Sequence, residues 1–267
     1  MNEYLPRKVS IVDFVRETQD IVGMRLAFKG GHEPGQFVMV SLPGIGEAPI
    51  SISSCSDKYM DLHIKEVGNV TKALGRLSEG KYVFARGPYG KGYPMKELKG
   101  QDIIMIGGGC GVAPLRSVVE YIDSHRKSYG NVVLFFGYNS PEAVLFKKHI
   151  AAWKRNYGLQ LSVDKNPDRK FCYDAKTGFI TDMLKKAKIS SENAAALLCG
   201  PPMMMKIAVD ALKGKWFRDD QIYISMERLM DCGLGICGHC MIHGKYTCLD
   251  GPVFRYDDVA KYGKDGL

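Results

Sequence analysis

Between Asp231 and Asp250 the chain reads Asp231-Cys232-Gly233-Leu234-Gly235-Ile236-Cys237-Gly238-His239-Cys240, then Cys248-Leu249-Asp250 after a turn. Four of the eight cysteines lie here, spaced C-x4-C-x2-C-x7-C, and no other stretch restricts the fold as tightly. The first three follow the spacing of plant-type [2Fe–2S] ferredoxins. Two irons draw four thiolates inward, so the backbone must curl round them. Gly233, Gly235 and Gly238 are expected to take the positive φ angles of such a curl. Bare N–H groups then point at the sulfurs and tune the reduction potential. Two alternatives stay open at this point. One is structural zinc, although zinc ribbons favour two separated C-x2-C knuckles and only one is present. The other is free or bridged thiols, with disulfides disfavoured in a chain that shows no export signal. A Rieske site needs two histidine ligands, and four cysteines already supply a full set, so His239 is expected either beside the ligands or on the surface.

The chain's 267 residues suffice for two ordinary domains and a small appendage. The longest apolar stretch, Ile103 to Leu115, is broken by glycines and Pro114, so no membrane span is expected. The first residues lack the apolar core of a signal peptide, and a cytoplasmic location is expected. Lysines are scattered despite a net charge of +8, with no basic stripe interleaved with aromatics, so nucleic-acid binding is not expected. The positive excess suits an anionic dinucleotide or an acidic electron-transfer partner, or serves solubility alone.

From Lys8 to about Gly100 short alternating runs predict strands at 8–15, 21–28, 36–42 and 60–67, separated by turn residues, and hence a small antiparallel β-barrel. After Gly100 the character changes. Asp102–Ile106 is a continuous apolar run, as in a strand buried on both faces. Further strands are expected at 131–137, 159–164, 194–200 and 221–225. Helices are expected at 113–128, 145–157, 179–188 and 203–212. This alternation predicts a doubly wound parallel sheet. The division is therefore a barrel over 1–99, an α/β domain over 100–225 and a cysteine segment over 226–267, hanging off the last strand.

Gly107-Gly108-Gly109-Cys110-Gly111-Val112-Ala113-Pro114 joins the first buried strand to its helix. The core Gly109-x-Gly111-x-x-Pro114 is a relative of the dinucleotide fingerprint, in which small residues let backbone approach a pyrophosphate at a helix N-terminus. Pro114 fits the first helical turn. Cys199-Gly200-Pro201 ends a later strand, and ligands of open α/β sheets bind at such carboxyl ends. Glu47–Ser54 and Gly68–Leu74 are rich in small hydroxyl residues, and Arg86-Gly87-Pro88-Tyr89-Gly90 reads as a sharp turn.

These stretches, in this order and followed by the cysteine loop, resemble the ferredoxin–NADP reductase superfamily. Within it they resemble the branch with a C-terminal [2Fe–2S] cluster. That branch includes sulfhydrogenase gamma subunits, the B subunit of anaerobic sulfite reductase and the electron-transfer subunit of dihydroorotate dehydrogenase. The marks are Gly46–Ser53, Arg86–Gly90, Cys199–Met204, Glu227-Arg228 and Cys248–Phe254. The resemblance implies that Pro49, Ile50, Ser51, Ile52 and Ser53 line FAD, with Ser51 near its reactive N5. It implies that Gly68, Asn69, Val70 and Thr71 hold the FAD pyrophosphate. Gly108, Gly109, Gly111, Ala113 and Pro114 would hold the nicotinamide nucleotide, with Cys199, Gly200 and Pro201 beside the nicotinamide. Ser51 and Cys199 are the implied catalytic pair. Cys232, Cys237, Cys240 and Cys248 would ligate the cluster.

Two departures matter. Where the superfamily has Arg-x-Tyr-Ser this chain has Ala48, Pro49, Ile50 and Ser51, so another base, with Lys72 the candidate, is expected to meet the pyrophosphate. Gly137-Tyr138-Asn139-Ser140 lacks the arginine that a 2′-phosphate wants, which favours NADH, with Lys165 and Arg169 the basic residues that would reverse the preference. The expected function is an electron-transfer subunit working between NAD(P)H, FAD, a [2Fe–2S] cluster and a redox partner subunit. The alternatives are a free-standing NAD(P)H:ferredoxin or small-acceptor reductase and a redox-sensing binding module.

Overall fold

A computed structural model describes residues 4–170, 172–242 and 244–260. Six strands come first: β1 (Arg7–Arg16), β2 (Ile21–Leu26), β3 (Phe37–Leu42), β4 (Gly46–Ser51), β5 (Met60–Lys65) and β6 (Tyr82–Tyr89). A short helix, α1 (Asn69–Leu74), lies between the last two. They pair antiparallel in the order β4-β3-β6-β1-β2-β5. An antiparallel bridge between Ile52 and Leu62 joins the two outer edges, so the sheet closes into a barrel. Alternation supplies the filling: Val22, Met24 and Leu26 of β2, Val38 and Val40 of β3, and Leu62 and Ile64 of β5 are buried together inside. Each such side chain stabilises the fold by about 1.5–3 kcal/mol.

Two departures from expectation occur here. Gly46–Ser51 is a strand, and its Pro49 is tolerated because β4 ends the paired order. Arg86–Tyr89 is the end of β6 rather than a sharp turn; Gly87, at φ +115, lies where the β3 pairing slips register, as in a bulge.

The second half contains β7 (Asp102–Gly108), α2 (Val112–Ser124), β8 (Val132–Tyr138), α3 (Ile150–Tyr157), β9 (Gln160–Val163) and β10 (Lys176–Thr177). It continues with α4 (Ile180–Lys186), β11 (Ala194–Cys199), α5 (Pro202–Lys213) and β12 (Ile222–Ser225). After the cysteine loop come β13 (Met241–Ile242), β14 (Lys245–Tyr246), β15 (Val253–Arg255) and α6 (Tyr256–Val259). The large sheet runs β10-β9-β8-β7-β11-β12-β15, parallel except for β15, which pairs antiparallel with β12. The continuous apolar runs of β7 and β11 are buried because helices cover both faces. Leu115, Val118, Val119 and Ile122 of α2 share one core with Ile150, Trp153 and Tyr157 of α3. Ile180 and Leu184 of α4 share the other with Met205, Ala208, Val209 and Leu212 of α5. Helix α3 is shorter than the expected 145–157. Phe146 takes a left-handed φ of +55, buried against Trp153 and His63, so the helix begins only at Ile150.

The cysteine segment does not simply hang off β12. It leaves β12, crosses to the barrel, and returns as β15 to pair with the strand it left. Its Met230, Cys240 and Cys248 pack against Phe37, Met39 and Tyr89 of the barrel. Ionic contacts join the two halves. Buried Arg116 on α2 donates to Ser53 O and to Asp61 Oδ2, each at 3.1 Å, and pairs with Glu120 one turn along. Arg25 makes a bidentate pair with Asp61 at 2.7 and 2.9 Å.

Candidate functional site

The loop Cys232–Cys240 curls as its glycines allow. Gly233, Gly235 and Gly238 have φ of +71, +71 and +81. Backbone N–H groups turn inward onto sulfur: Leu234 and Ile236 donate to Cys232 Sγ at 3.3 and 3.4 Å, and Gly235 donates to Cys248 Sγ at 3.1 Å. Cys240 Sγ lies 3.3 Å from Cys248 Sγ, and Cys232 interacts with Cys237, so the thiols fall into two pairs. Burial opposes the Cys232 thiolate, yet the N–H groups of Cys237, Leu234 and Ile236 outweigh it and bring the thiol down to about 6. Burial and the neighbouring Cys240 push Cys248 up to about 12. Such a set releases protons and gains stability when a metal takes the sulfurs. Four paired thiols under sulfur-directed N–H groups fit a two-iron cluster. Asp231, Cys237 and His239 also group within metal-ligand reach on the exposed rim, but His239 Nδ1 is engaged by the Asp231 carboxylate. No backbone donor serving that trio is seen among the described residues, and the thiolate set is the better-built one.

A cleft of about 730 Å³ separates the barrel from the carboxyl ends of the parallel strands. This is within the usual range for cofactor sites. Pro49, Ile50, Ser51 and Thr71 line it from the barrel. Gly108, Gly109, Gly111, Ala113, Pro114, Cys199, Gly200 and Pro201 line it from the sheet. Thr71 Oγ1 accepts from the N–H groups of Val67 and Gly68 at 3.0 and 2.9 Å, which fixes the start of α1. Five of the expected residues stand off the wall. Ile52 and Ser53 are buried behind it, Ser53 Oγ donating to Asp61 O at 2.9 Å, and Gly68, Asn69 and Val70 flank it.

The glycine turn has a packing reason beside any ligand. A Cβ on Gly111 would stand 2.6 Å from Cys199 O, and one on Gly108 would stand 2.5 Å from Met204 Sδ. The two strand ends thus approach as closely as backbone allows. Cys199 is buried, and burial, reinforced by Glu227, pushes its thiol far above the ordinary range.

Sequence reasoning missed several wall residues. Lys65, not the expected Lys72, is the barrel base on the wall. Lys65 is legible as the outward partner of inward Leu62 and Ile64 at the end of β5. Asn139 and Asp164 line the cleft beyond β8 and β9, whereas Lys165 and Arg169 do not. Burial raises the Asp164 carboxyl. Glu227 and Arg228 complete the wall. His63 lies on it too, 2.7 Å from Ser53 Oγ through Nδ1.

Residues 105–210 match the oxidoreductase NAD-binding domain, and residues 227–260 match the iron–sulfur cluster binding domain of dihydroorotate dehydrogenase B. The chain is 38% identical over 245 residues to sulfhydrogenase 1 subunit gamma of Pyrococcus furiosus, covering 88% of this chain and 82% of that one. It is 33% identical over 248 residues to a probable dihydroorotate dehydrogenase B (NAD(+)) electron transfer subunit of the same organism, covering 93% and 90%. Among solved structures, a chain of the NADH-dependent reduced ferredoxin–NADP oxidoreductase superposes with a TM-score of 0.75 at 21% identity, covering 95% and 92%. A barrel joined to a doubly wound sheet, a glycine turn at their cleft and a cysteine loop that matches an iron–sulfur domain agree with these likenesses: the fold is that of the ferredoxin–NADP reductases, and the chain belongs to the family of the sulfhydrogenase gamma and dihydroorotate dehydrogenase B electron-transfer subunits.

Proposed function

We propose that this chain is the electron-transfer subunit of a larger redox complex, working between NADH, FAD and a [2Fe–2S] cluster, with the cluster loop facing the partner. The observation that carries the reading is spatial. The cleft between barrel and sheet gathers the flavin and nucleotide segments, and the cysteine loop packs on Phe37, Met39 and Tyr89 of the same barrel. When bound, FAD and the cluster supply the change from a two-electron hydride to single electrons.

The chain's own residues bind, orient and exclude water. Ser51 offers a hydroxyl from the end of β4, half-buried on the wall. Cys199 stays a neutral thiol and fills space beside the glycine turn, so it does not act as a nucleophile. The amides at Gly109–Gly111 and Lys65 offer donors and positive charge to phosphates. Asp164 offers a carboxylate to ribose hydroxyls and repels a 2′-phosphate, which supports NADH. Leu229, Ile236, Met241 and Leu249 are exposed around the cluster loop, and such an apolar rim suits a protein partner. The relatives' standing as subunits supports the same view. No described helix is long and apolar enough to cross a membrane.

Anaerobic purification of the native assembly tests the reading. The expected result is co-purifying redox subunits, about one flavin and two irons per chain, a reduced-state EPR signal, and bleaching by NADH. Full turnover by the isolated chain with a diffusible acceptor, and no co-purifying subunit, would favour a free-standing reductase. Colourless protein after reconstitution would end both readings.

A further inference from the structure

Arg86 is buried, and its partners lie on two sides. Toward the barrel, Nε donates to Glu47 Oε1 at 2.9 Å and Nη2 donates to Glu47 Oε2, a bidentate fork reaching across β3 from β6 to β4. Toward the cysteine loop, Nη1 donates to Cys232 O, and Nη2 donates to Asp231 O at 3.2 Å. Glu47 stands two residues before Pro49, on the strand that lines the cleft. A single guanidinium therefore ties the cleft strand to the peptide of the first cysteine in the loop. Arginine suits the task because its planar fork serves a carboxylate and two carbonyls together, which a lysine ammonium does not.

Two consequences follow from charge and geometry. The fork fixes where the loop starts relative to β4. The cation also favours the more negative, reduced form of a metal centre held by Cys232, while the Glu47 carboxylate opposes it. We propose that Arg86 and Glu47 form a positioning pair for electron exchange, Arg86 anchoring the Cys232 peptide to the cleft strand and the two opposed charges setting the reduction potential of the cluster. This inference rests on the cluster assignment above.

Redox titration of the holoprotein, followed by EPR, tests it in wild type, R86Q, E47Q and R86K. R86Q removes the cation and is expected to lower the potential. E47Q leaves the cation uncompensated and is expected to raise it. Each shift should change the oxidised-to-reduced ratio at fixed potential by about tenfold, equal to about 59 mV for a one-electron couple. R86K keeps the charge without the fork, so its potential should stay near wild type while iron is lost faster to a chelator. A clamp that is merely structural is broken by R86Q and E47Q alike and moves both potentials the same way; that result, or no movement in E47Q, overturns the proposal. Where R86Q does not retain iron, E47Q and R86K decide by the same signs. Wild-type protein without any EPR signal defeats the cluster assignment itself, whereas a wild-type signal without opposed shifts defeats only the tuning role.

Discussion

Asp164 follows the third strand of the large sheet and lines the cleft, and in the proposed reading it is the carboxylate that a 2′-phosphate would meet. D164S is expected to narrow the preference for NADH over NADPH by about tenfold in kcat/KM, about 1.4 kcal/mol, read from steady-state rates with each nucleotide. His63 carries a second residue-level prediction. Buried among Ser53, Glu17, Phe146 and Arg116, its imidazole is held below the ordinary 6.5 chiefly by loss of water. His32 is lowered for the same reason. Below pH 6.5 the unfolded chain binds protons that the folded chain refuses. Stability therefore falls with pH from there until the folded pKa is passed, by up to about 1.4 kcal/mol per pH unit for each such group. Denaturant midpoints between pH 7 and 5.5 should fall, and H63Q should flatten the slope. The curl of the cysteine loop was legible because spacing and glycines act locally. The outward direction of Lys65 was legible, but its place on the cleft wall, like that of Asp164, depends on which strand ends meet. Lys72, picked for charge and nearness in sequence, sits one helical step beyond the wall.

Among the elements, period-two alternation in the barrel and unbroken apolar runs in the sheet were enough to predict most strands. The exceptions have physical causes. Strand β4 carries a proline and β6 a bulge, so neither shows clean alternation. Residues 145–149 look helical in composition, but burial of Phe146 in a left-handed conformation overrides propensity. The sequence predicts a ligand cradle at the turn from β7 to α2; what the structure shows there is a packing joint. G111A places a methyl 2.6 Å from Cys199 O and 2.7 Å from Gly200 Cα, both backbone atoms. It is expected to cost about 1–3 kcal/mol, or about 2–4 °C of melting temperature per kcal/mol for a domain of this size. Thermal melting of the holoprotein checks it. A melting curve identical to wild type would show that the strand ends part without cost.

On the scale of the whole molecule, barrel and sheet are locked by ions as well as apolar contact. Asp61 receives both Arg25 and Arg116, and although burial opposes its charge the two guanidiniums hold its carboxyl below the usual range. D61N leaves two guanidiniums short of their carboxylate, Arg116 among them buried. Because Arg116 keeps Glu120 and Ser53 O, it should destabilise by about 1–3 kcal/mol, read as a lower urea midpoint. None of this network was legible in the sequence, since its members come from β2, β5 and α2 and carry no local pattern. The order of the halves was legible, because each half announces its own architecture.

The return of the cysteine segment to the strand it left has a mechanical result. Both feet of the segment stand on the sheet half, at β12 and β15, while its middle rests on the barrel. It is a belt buckled at one side and drawn across the other. Any separation of the two halves at the cleft would have to lift the belt off Met39 and Tyr89 or stretch it, so the width of the cleft and the seat of the cysteine loop are tied by one piece of chain.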